Sequence, residues 1–186
     1  LHAGNYADVV KHAILNLILE SLCRKESPFC YFDTHSGSAF YDLNSEFAQK
    51  TGEFKSGIQI LWDLPEEARH PLLITYLNTL KAFNLGHSLN LYLGSPALAR
   101  HFLRSQDSMN LMELHPQEIE LLKEQFKKDK QVHIHPRDGL EGLIALVPPK
   151  EKRGLVLIDP SYEKKQDYID VVETLKSAHK RWQNGI

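Results

Sequence analysis

Short apolar runs that alternate with helix-like stretches constrain this chain more than any other feature. The runs cover residues 29–33, 108–113, 131–135 and 154–159, with a weaker one over 89–93. Between and after them, apolar residues return at helical spacing: Ile119, Leu122 and Phe126 behind Pro116, then residues 139–147, then Tyr168, Val171, Val172, Leu175 and Trp182. Ser95 and Pro96 read as the cap and first residue of a further helix over 97–104. Strands joined through helices pair in parallel, so the expected fold is α/β with a mainly parallel, doubly wound sheet. Ligands of such sheets sit beyond the carboxyl ends of the strands. The residues that follow each run are therefore the first place to look for chemistry.

An opening helix is marked by Val10, Ala13, Ile14, Leu17, Ile18 and Leu22, with Asn5 as its cap and Pro28 beyond its end. Its apolar face is expected to pack on a sheet. Residues 44–87 are far longer than the roughly 2 to 6 residues usual for a connection in α/β units. They carry a helix of their own, begun by Pro65 and Glu66, with Leu73, Tyr76, Leu77, Leu80 and Phe83 on one face. The expected organisation is an opening helix and first sheet segment over 1–43, an inserted helical subdomain over 44–87, and the rest of the sheet domain over 88–186. The chain starts at Leu1 rather than Met and ends on Gly185 and Ile186 directly after a helix, where a further strand is expected. It reads as a fragment whose C-terminal strands are missing.

Lys and Arg number 22 against 24 Asp and Glu, a formal net charge of -2. That balance excludes a polycation that coats nucleic acid and leaves only local patches for such contact. Lys150, Lys152, Arg153, Lys164 and Lys165 flank the 154–159 run and make one such patch if the fold brings them to one rim; a solvated loop is the plainer alternative. Two cysteines, Cys23 and Cys30, are too few for a disulfide scaffold or a zinc site, which suits a reducing cytoplasm. No apolar run approaches the roughly 20 residues of a membrane helix. Among ten histidines there is no His-Glu-x-x-His, and His133 and His135 have no thiolate nearby, so no metal is expected.

Asp159-Pro160-Ser161-Tyr162 closes the most strand-like run of the chain and is its strongest local signal. The exocyclic amine of adenine is a poor nucleophile because its lone pair is delocalised into the ring. An acceptor such as Asp159, with a backbone carbonyl, can hold the amine hydrogens and free the lone pair to face an electrophilic methyl. Tyr162 can stack on a base swung out of its helix. A simple Asp-Pro turn over a packed tyrosine is the alternative. Asp33-Thr34-His35-Ser36-Gly37 follows the first run, where Gly37 lets the backbone approach a cofactor or merely makes a turn. Glu113 ends the next run, suited to ribose hydroxyls or to solvent. Asp138, before Gly139, can accept from an adenine amine or cap the next helix, and Ser95 offers a capped helix start to an anionic group. Lys11 and His12 sit beside the apolar face of the opening helix. The G-x-G-x-x-G pattern of nicotinamide enzymes is absent, which ranks a dehydrogenase last.

Taken together, these segments resemble the RlmJ family of bacterial ribosomal RNA large-subunit methyltransferases. The resemblance covers nearly the whole chain. It rests on His-Ala-Gly-Asn-Tyr-Ala-Asp-Val-Val-Lys-His from His2 to His12, Asp33 to Gly37, Thr51-Gly52-Glu53-Phe54, Gly94-Ser95-Pro96, Glu113-Leu114-His115-Pro116, Asp138-Gly139, and Leu157-Ile158-Asp159-Pro160-Ser161-Tyr162. It implies a Rossmann-like, class I fold that uses S-adenosylmethionine to methylate the N6 amine of an adenine in 23S rRNA. On this resemblance His12, His35, Ser95, Glu113, Asp138 and Gly139 contact the cofactor, with Lys11, Asp33 and Gly37 as further candidates. Asp159 is the catalytic acceptor, and Pro160 and Tyr162 meet the target base. The inserted subdomain helps grip RNA. Two positions depart from the family pattern: Ser161 stands where the family has a second proline, and Ala39 where it usually has glycine.

The partner expected from the resemblance is 23S rRNA before full ribosome assembly, with no membrane and no metal, in the cytoplasm, and with a monomer as the favoured state. Two alternatives remain at this point. One keeps the chemistry and moves it to DNA adenine or a protein amide, because an Asp-Pro-x-Tyr loop serves planar amino groups in general. The other is a non-catalytic module that binds S-adenosylmethionine or RNA, with Ser161 as the mark of lost activity.

Overall fold

The computed structural model describes residues 3–86 and 88–186. His2, at the head of the first motif, and His87, at the end of the helical insert, lie outside the described residues. The elements are α1 (Tyr6–Cys23), β1 (Cys30–Asp33), β2 (Phe40–Asp42), α2 (Glu46–Thr51), α3 (Ile58–Asp63), α4 (Pro71–Phe83), β3 (Leu91–Leu93), α5 (Ser95–Phe102), β4 (Ser108–Glu113), α6 (Pro116–Gln125), β5 (Val132–Pro136), α7 (Gly139–Leu146), β6 (Gly154–Leu157) and α8 (Lys165–Arg181). They divide into two compact units, Leu1–Ser21 with Ala39–Phe102 and Leu22–Ser38 with Leu103–Ile186.

In the first unit Asn5 caps α1, its Oδ1 accepting the Asp8 N–H at 2.9 Å and its carbonyl the Val9 N–H at 3.0 Å. The buried residues of α1 are Val9, His12, Ala13, Leu15, Asn16, Leu19 and Leu22, so Ala13 and Leu22 of the expected face are buried whereas Val10 and Ile14 are 42% and 53% exposed. Two neighbouring stripes both satisfy helical spacing. Buried hydrogen bonds select the one that carries polar residues: Thr79 of α4 donates to Asn16 Oδ1 at 3.1 Å, and His12 Nδ1 lies 2.8 Å from Tyr92 Oη of β3.

The helix expected from Pro65 starts instead at Pro71, after a 3-10 turn at Glu66–Ala68. A proline is tolerated in the first turn of a helix but not in its interior, so Pro71 sets the start. The weak run near 89–93 also behaves differently from expectation. It forms a two-stranded antiparallel ribbon with β2, which the sequence pattern did not reveal, and takes no part in the parallel sheet. The buried amide of Asn84 fixes it there, accepting the N–H groups of Asn90 and Leu91 and donating to the carbonyls of Leu80 and Leu91.

The second unit holds a four-stranded, wholly parallel sheet in the order β5-β4-β1-β6. In chain order that is 3-2-1-4, the Rossmann arrangement, in which the direction of strand addition reverses beside β1. Right-handed crossovers place α6 and α7 on opposite faces of such a sheet. Strand β1 is buried throughout, as a central strand covered on both faces must be. Cys30, Phe32, Met112, Leu143, Val147, Ala178 and Trp182 form one core cluster, with Phe32 edge-on to Trp182 at 5.9 Å. Burial of an aromatic side chain of this kind contributes roughly 2 to 3 kcal/mol.

Only the end of α8 joins that core. Tyr168, Val172 and Leu175, expected on its apolar face, are exposed. Beyond α8 the chain returns to the sheet, where Gly185 pairs in parallel with Gly154 and the Val156 N–H donates to the Ile186 carbonyl at 2.8 Å.

Candidate active site

The parallel register brings the ends of all four strands to one edge. Asp33 of β1 stands level with Leu111 of β4 and Leu157 of β6, and Glu113 with Pro136 of β5. The segments carrying His35, Gly37, Glu113, Asp138, Gly139, Asp159, Pro160 and Tyr162 therefore leave the sheet on the same side. Lys150, Lys152 and Arg153 precede β6 and lie at the opposite edge, so the basic residues flanking this strand do not form one rim. Arg153 instead donates to the carbonyls of Leu22 and Ser27.

The loop after β1 is tightly tied. Asp33 is fully buried; its carboxylate accepts the Tyr31 hydroxyl at 2.8 Å and the His35 N–H at 3.3 Å. The Thr34 hydroxyl donates to the Leu157 carbonyl at 3.2 Å, and its oxygen lies 2.8 Å from His35 Nδ1. Nδ1 then carries the hydrogen and Nε2 is left as an acceptor. Gly37 adopts φ +57°, a left-handed conformation that favours glycine, and its N–H donates to Glu113 Oε2 at 2.7 Å. Glu113 Oε1 accepts from Leu114 and His115, each at 2.8 Å, so this carboxylate is a hub for backbone amides.

Asp138 caps α7 through Oδ1, which accepts the Glu141 N–H at 2.9 Å. Gly139 abuts the β1 loop so closely that a Cβ there would overlap the Thr34 carbonyl. Thr34, which sequence reasoning passed over, is thus the contact that seats α7 against β1. A cleft of about 590 Å³ beside Asp138 runs between α7 and α8, with Leu140, Ile144, Asp170 and Glu173 on its walls.

After β6, Asp159 is half-buried and Pro160 buried. Tyr162 adopts φ +54°, rare for a bulky residue, and its ring packs on Tyr168 at 4.7 Å between centroids and 37° between planes. Burial, and secondarily the charge of Asp159, pushes the Tyr162 hydroxyl above its ordinary value. The sequence pattern puts Tyr168 on a core face, but it is exposed here. Its place six residues after Tyr162, at the start of a helix, is the signal that would have found this contact.

The expected cofactor residues Lys11, His12 and Ser95 belong to the first unit. Lys11 pairs with Asp8 at 2.7 Å. His12 joins a buried chain through Tyr92 to Tyr76, whose hydroxyls are 3.2 Å apart and are both pushed up by burial. Ser95 is buried as the first residue of α5. The Leu98 N–H donates to the Gly94 carbonyl at 3.1 Å, which puts Gly94, rather than Ser95, just before the helix.

Sheet order and strand-edge residues define a Rossmann-like α/β protein with a carboxylate-rich loop cluster at the switch point. The chain belongs to the family described as ribosomal RNA large subunit methyltransferase D, RlmJ, whose model matches residues 26–186. It is 47% identical over an alignment of 188 residues to ribosomal RNA large subunit methyltransferase J of Escherichia coli (strain K12), covering 100% of this chain and 65% of that protein. The protein of the same name from Haemophilus influenzae is also 47% identical over 188 residues, covering 99% and 65%. The chain thus spans 65% of the length of these relatives. A Legionella pneumophila str. Philadelphia 1 crystal structure assigned to DUF519 superposes with a TM-score of 0.90 at 42% identity, covering 98% of this chain and 67% of that one.

Proposed function

We propose that this chain carries the methyl-transfer site of an S-adenosylmethionine-dependent enzyme that modifies the N6 amine of an adenine in 23S rRNA. The observation that carries the reading is the exit of Asp159-Pro160-Ser161-Tyr162 from β6 at the carboxyl edge, beside the β1 loop, in a chain whose relatives are named ribosomal RNA methyltransferases.

The donor set suits the cofactor. An adenosine with a cationic sulfonium calls for acceptors at ribose and adenine and for close backbone approach. Glu113 and Asp138 offer carboxylates, His35 Nε2 an acceptor, and Gly37 a backbone free of Cβ. Among the described residues Glu113 Oε2 accepts one bond, from Gly37, and the Asp138 cap uses Oδ1, so each carboxylate has further acceptor capacity. Gly139 and Asp33 act by shaping the β1 loop, while Lys11, His12 and Ser95 are proposed on the family resemblance alone.

Bound S-adenosylmethionine supplies an electrophilic methyl group. Asp159 and the Pro160 carbonyl accept the two hydrogens of the adenine amine, which localises its lone pair. Tyr162 stacks on the base and excludes water from one face. Transfer of the methyl to the amine nitrogen would break its bond to sulfur, release S-adenosylhomocysteine and leave the surplus amine proton to Asp159 or to solvent. Acceleration comes from alignment and from fixed acceptors aimed at the developing charge. Residues 44–87 are proposed to help grip the RNA. Among the described residues no helix is long and apolar enough to cross a membrane, which is compatible with the proposed cytoplasmic site of action before ribosome assembly is complete.

The test is transfer of labelled methyl from S-adenosylmethionine to unmodified, protein-free 23S rRNA, with nucleoside analysis and with DNA in a parallel reaction. Label in N6-methyladenosine of the RNA is expected, and its loss in Asp159→Ala with cofactor binding intact. Full turnover by Asp159→Ala would overturn the assignment, and label in DNA alone would move the substrate.

A further inference from the structure

We propose that Tyr168 is a positioning residue for the nucleobase: packed at a tilt against Tyr162, it fixes the orientation in which Tyr162 meets the target adenine. The proposal rests on the reading above, in which Tyr162 stacks on the base, and deepens it.

Three observations carry it. Tyr162 holds φ +54°, which a bulky residue keeps only where its surroundings over-determine it. Pro160 limits the backbone on one side, but Ser161 is exposed and supplies no packing. The ring of Tyr168, at 4.7 Å and 37°, is placed to hold the Tyr162 side chain.

The two partners differ in anchoring. Tyr162 belongs to a loop, whereas Tyr168 stands in the first turn of α8, whose start is tied by the Lys164 N–H donating to Asp167 at 3.3 Å. A helix-anchored ring thus sets the position of a loop-borne one.

Core packing does not account for Tyr168, which is 58% exposed and outside the cluster formed by Ala178 and Trp182. A tyrosine ring has two faces. With Tyr168 tilted against one, the proposed base would take the other, so that the middle ring is braced.

The test compares Tyr168→Ala and Tyr168→Phe in the full chain. The readouts are KM for RNA, the dissociation constant for S-adenosylmethionine, and fluorescence quenching of an oligoribonucleotide carrying one 2-aminopurine. For Tyr168→Ala, KM for RNA is expected to rise about tenfold and quenching to weaken, with cofactor affinity unchanged and Tyr168→Phe near wild type. Wild-type behaviour of Tyr168→Ala overturns the proposal. So does tighter base binding, which would mean that Tyr168 occupies the place of the base. An equal loss of cofactor affinity also overturns it, since that marks general damage to the fold.

If the wild-type protein quenches 2-aminopurine but transfers no methyl to RNA, the reading of the reaction fails. Weaker quenching in Tyr168→Ala then still supports the brace. Absence of quenching in the wild type overturns both.

Discussion

Glu113 Oε2 accepts the backbone N–H of Gly37 at 2.7 Å, joining the end of β4 to the left-handed turn that follows β1. The same carboxylate accepts two more amides through Oε1, so the geometry of the β1 loop depends on it. Glu113→Ala removes three charge-assisted hydrogen bonds, of which those to Leu114 and His115 are exposed. The bond to Gly37 is the one that water replaces least well, and the expected loss of stability is about 1.5 to 3 kcal/mol. Cofactor affinity is expected to fall at least tenfold. Glu113→Gln is expected to keep part of both, because an amide oxygen still accepts from Gly37. Calorimetric titration with S-adenosylmethionine and thermal melts check the pair, and unchanged affinity in Glu113→Ala would contradict the role of this tether.

Gly139 tests the seating of α7. A methyl group there meets the Thr34 carbonyl, a backbone atom that cannot rotate away. Gly139→Ala is expected to lower stability by about 1 to 3 kcal/mol through overpacking. Because α7 begins at this contact, Asp138 must also shift, so cofactor binding should weaken more than the melting temperature alone would suggest. A variant with wild-type affinity and stability would show that α7 moves freely away from β1.

How legible all this was in the sequence differs from element to element. The parallel strands were readable because continuous apolar runs ending in polar residues have few other solutions, and Asp33, Glu113, Asp138 and Asp159 marked their ends. The stripe of α1 was not, because two neighbouring faces satisfy the same period and only the hydrogen bonds of Asn16 and His12 decide between them. The antiparallel ribbon depends on Asn84, seven residues from Leu91, whose amide bonds no periodicity encodes. The contact of Gly139 with Thr34 joins residues more than a hundred positions apart. The Tyr162–Tyr168 pair was hidden because Tyr168 fits a helical apolar pattern that the fold leaves exposed.

Stability is expected to depend on pH through His135 and His101. Burial holds both imidazoles below their ordinary value of 6.5, and the neighbouring charges of His133 and Arg137 add to the effect at His135. His135 Nε2–H donates to Asn110 Oδ1 at 2.9 Å in either charge state, so the shift comes from burial and the neighbouring charges. As pH falls through 6.5 the unfolded chain takes up protons that the folded one resists, so stability present above 6.5 is lost below it. Denaturant midpoints measured between pH 7.5 and 5 should fall, by a smaller amount in His135→Gln. An identical slope in that variant would assign the effect elsewhere.

The edge of the sheet opposite the site offers a contrasting substitution. Asp107, buried before β4, accepts the Phe29 N–H at 3.0 Å and the Arg104 N–H at 2.9 Å, and pairs with Arg104 Nε at 2.8 Å. Arg104 in turn donates to the carbonyls of Lys25 and Ser27, so one carboxylate organises the approach to both central strands. Asp107→Ala leaves the Phe29 and Arg104 amides unsatisfied and Arg104 without its carboxylate, at an expected cost of about 3 kcal/mol. Its effect on cofactor affinity should be small at temperatures where the variant stays folded, because the strand ends that carry Glu113, Asp138 and Asp159 lie at the other edge. Thermal melts paired with S-adenosylmethionine titration separate the two quantities. A variant that kept its melting temperature but lost affinity would reverse the assignment of these two edges to stability and to chemistry.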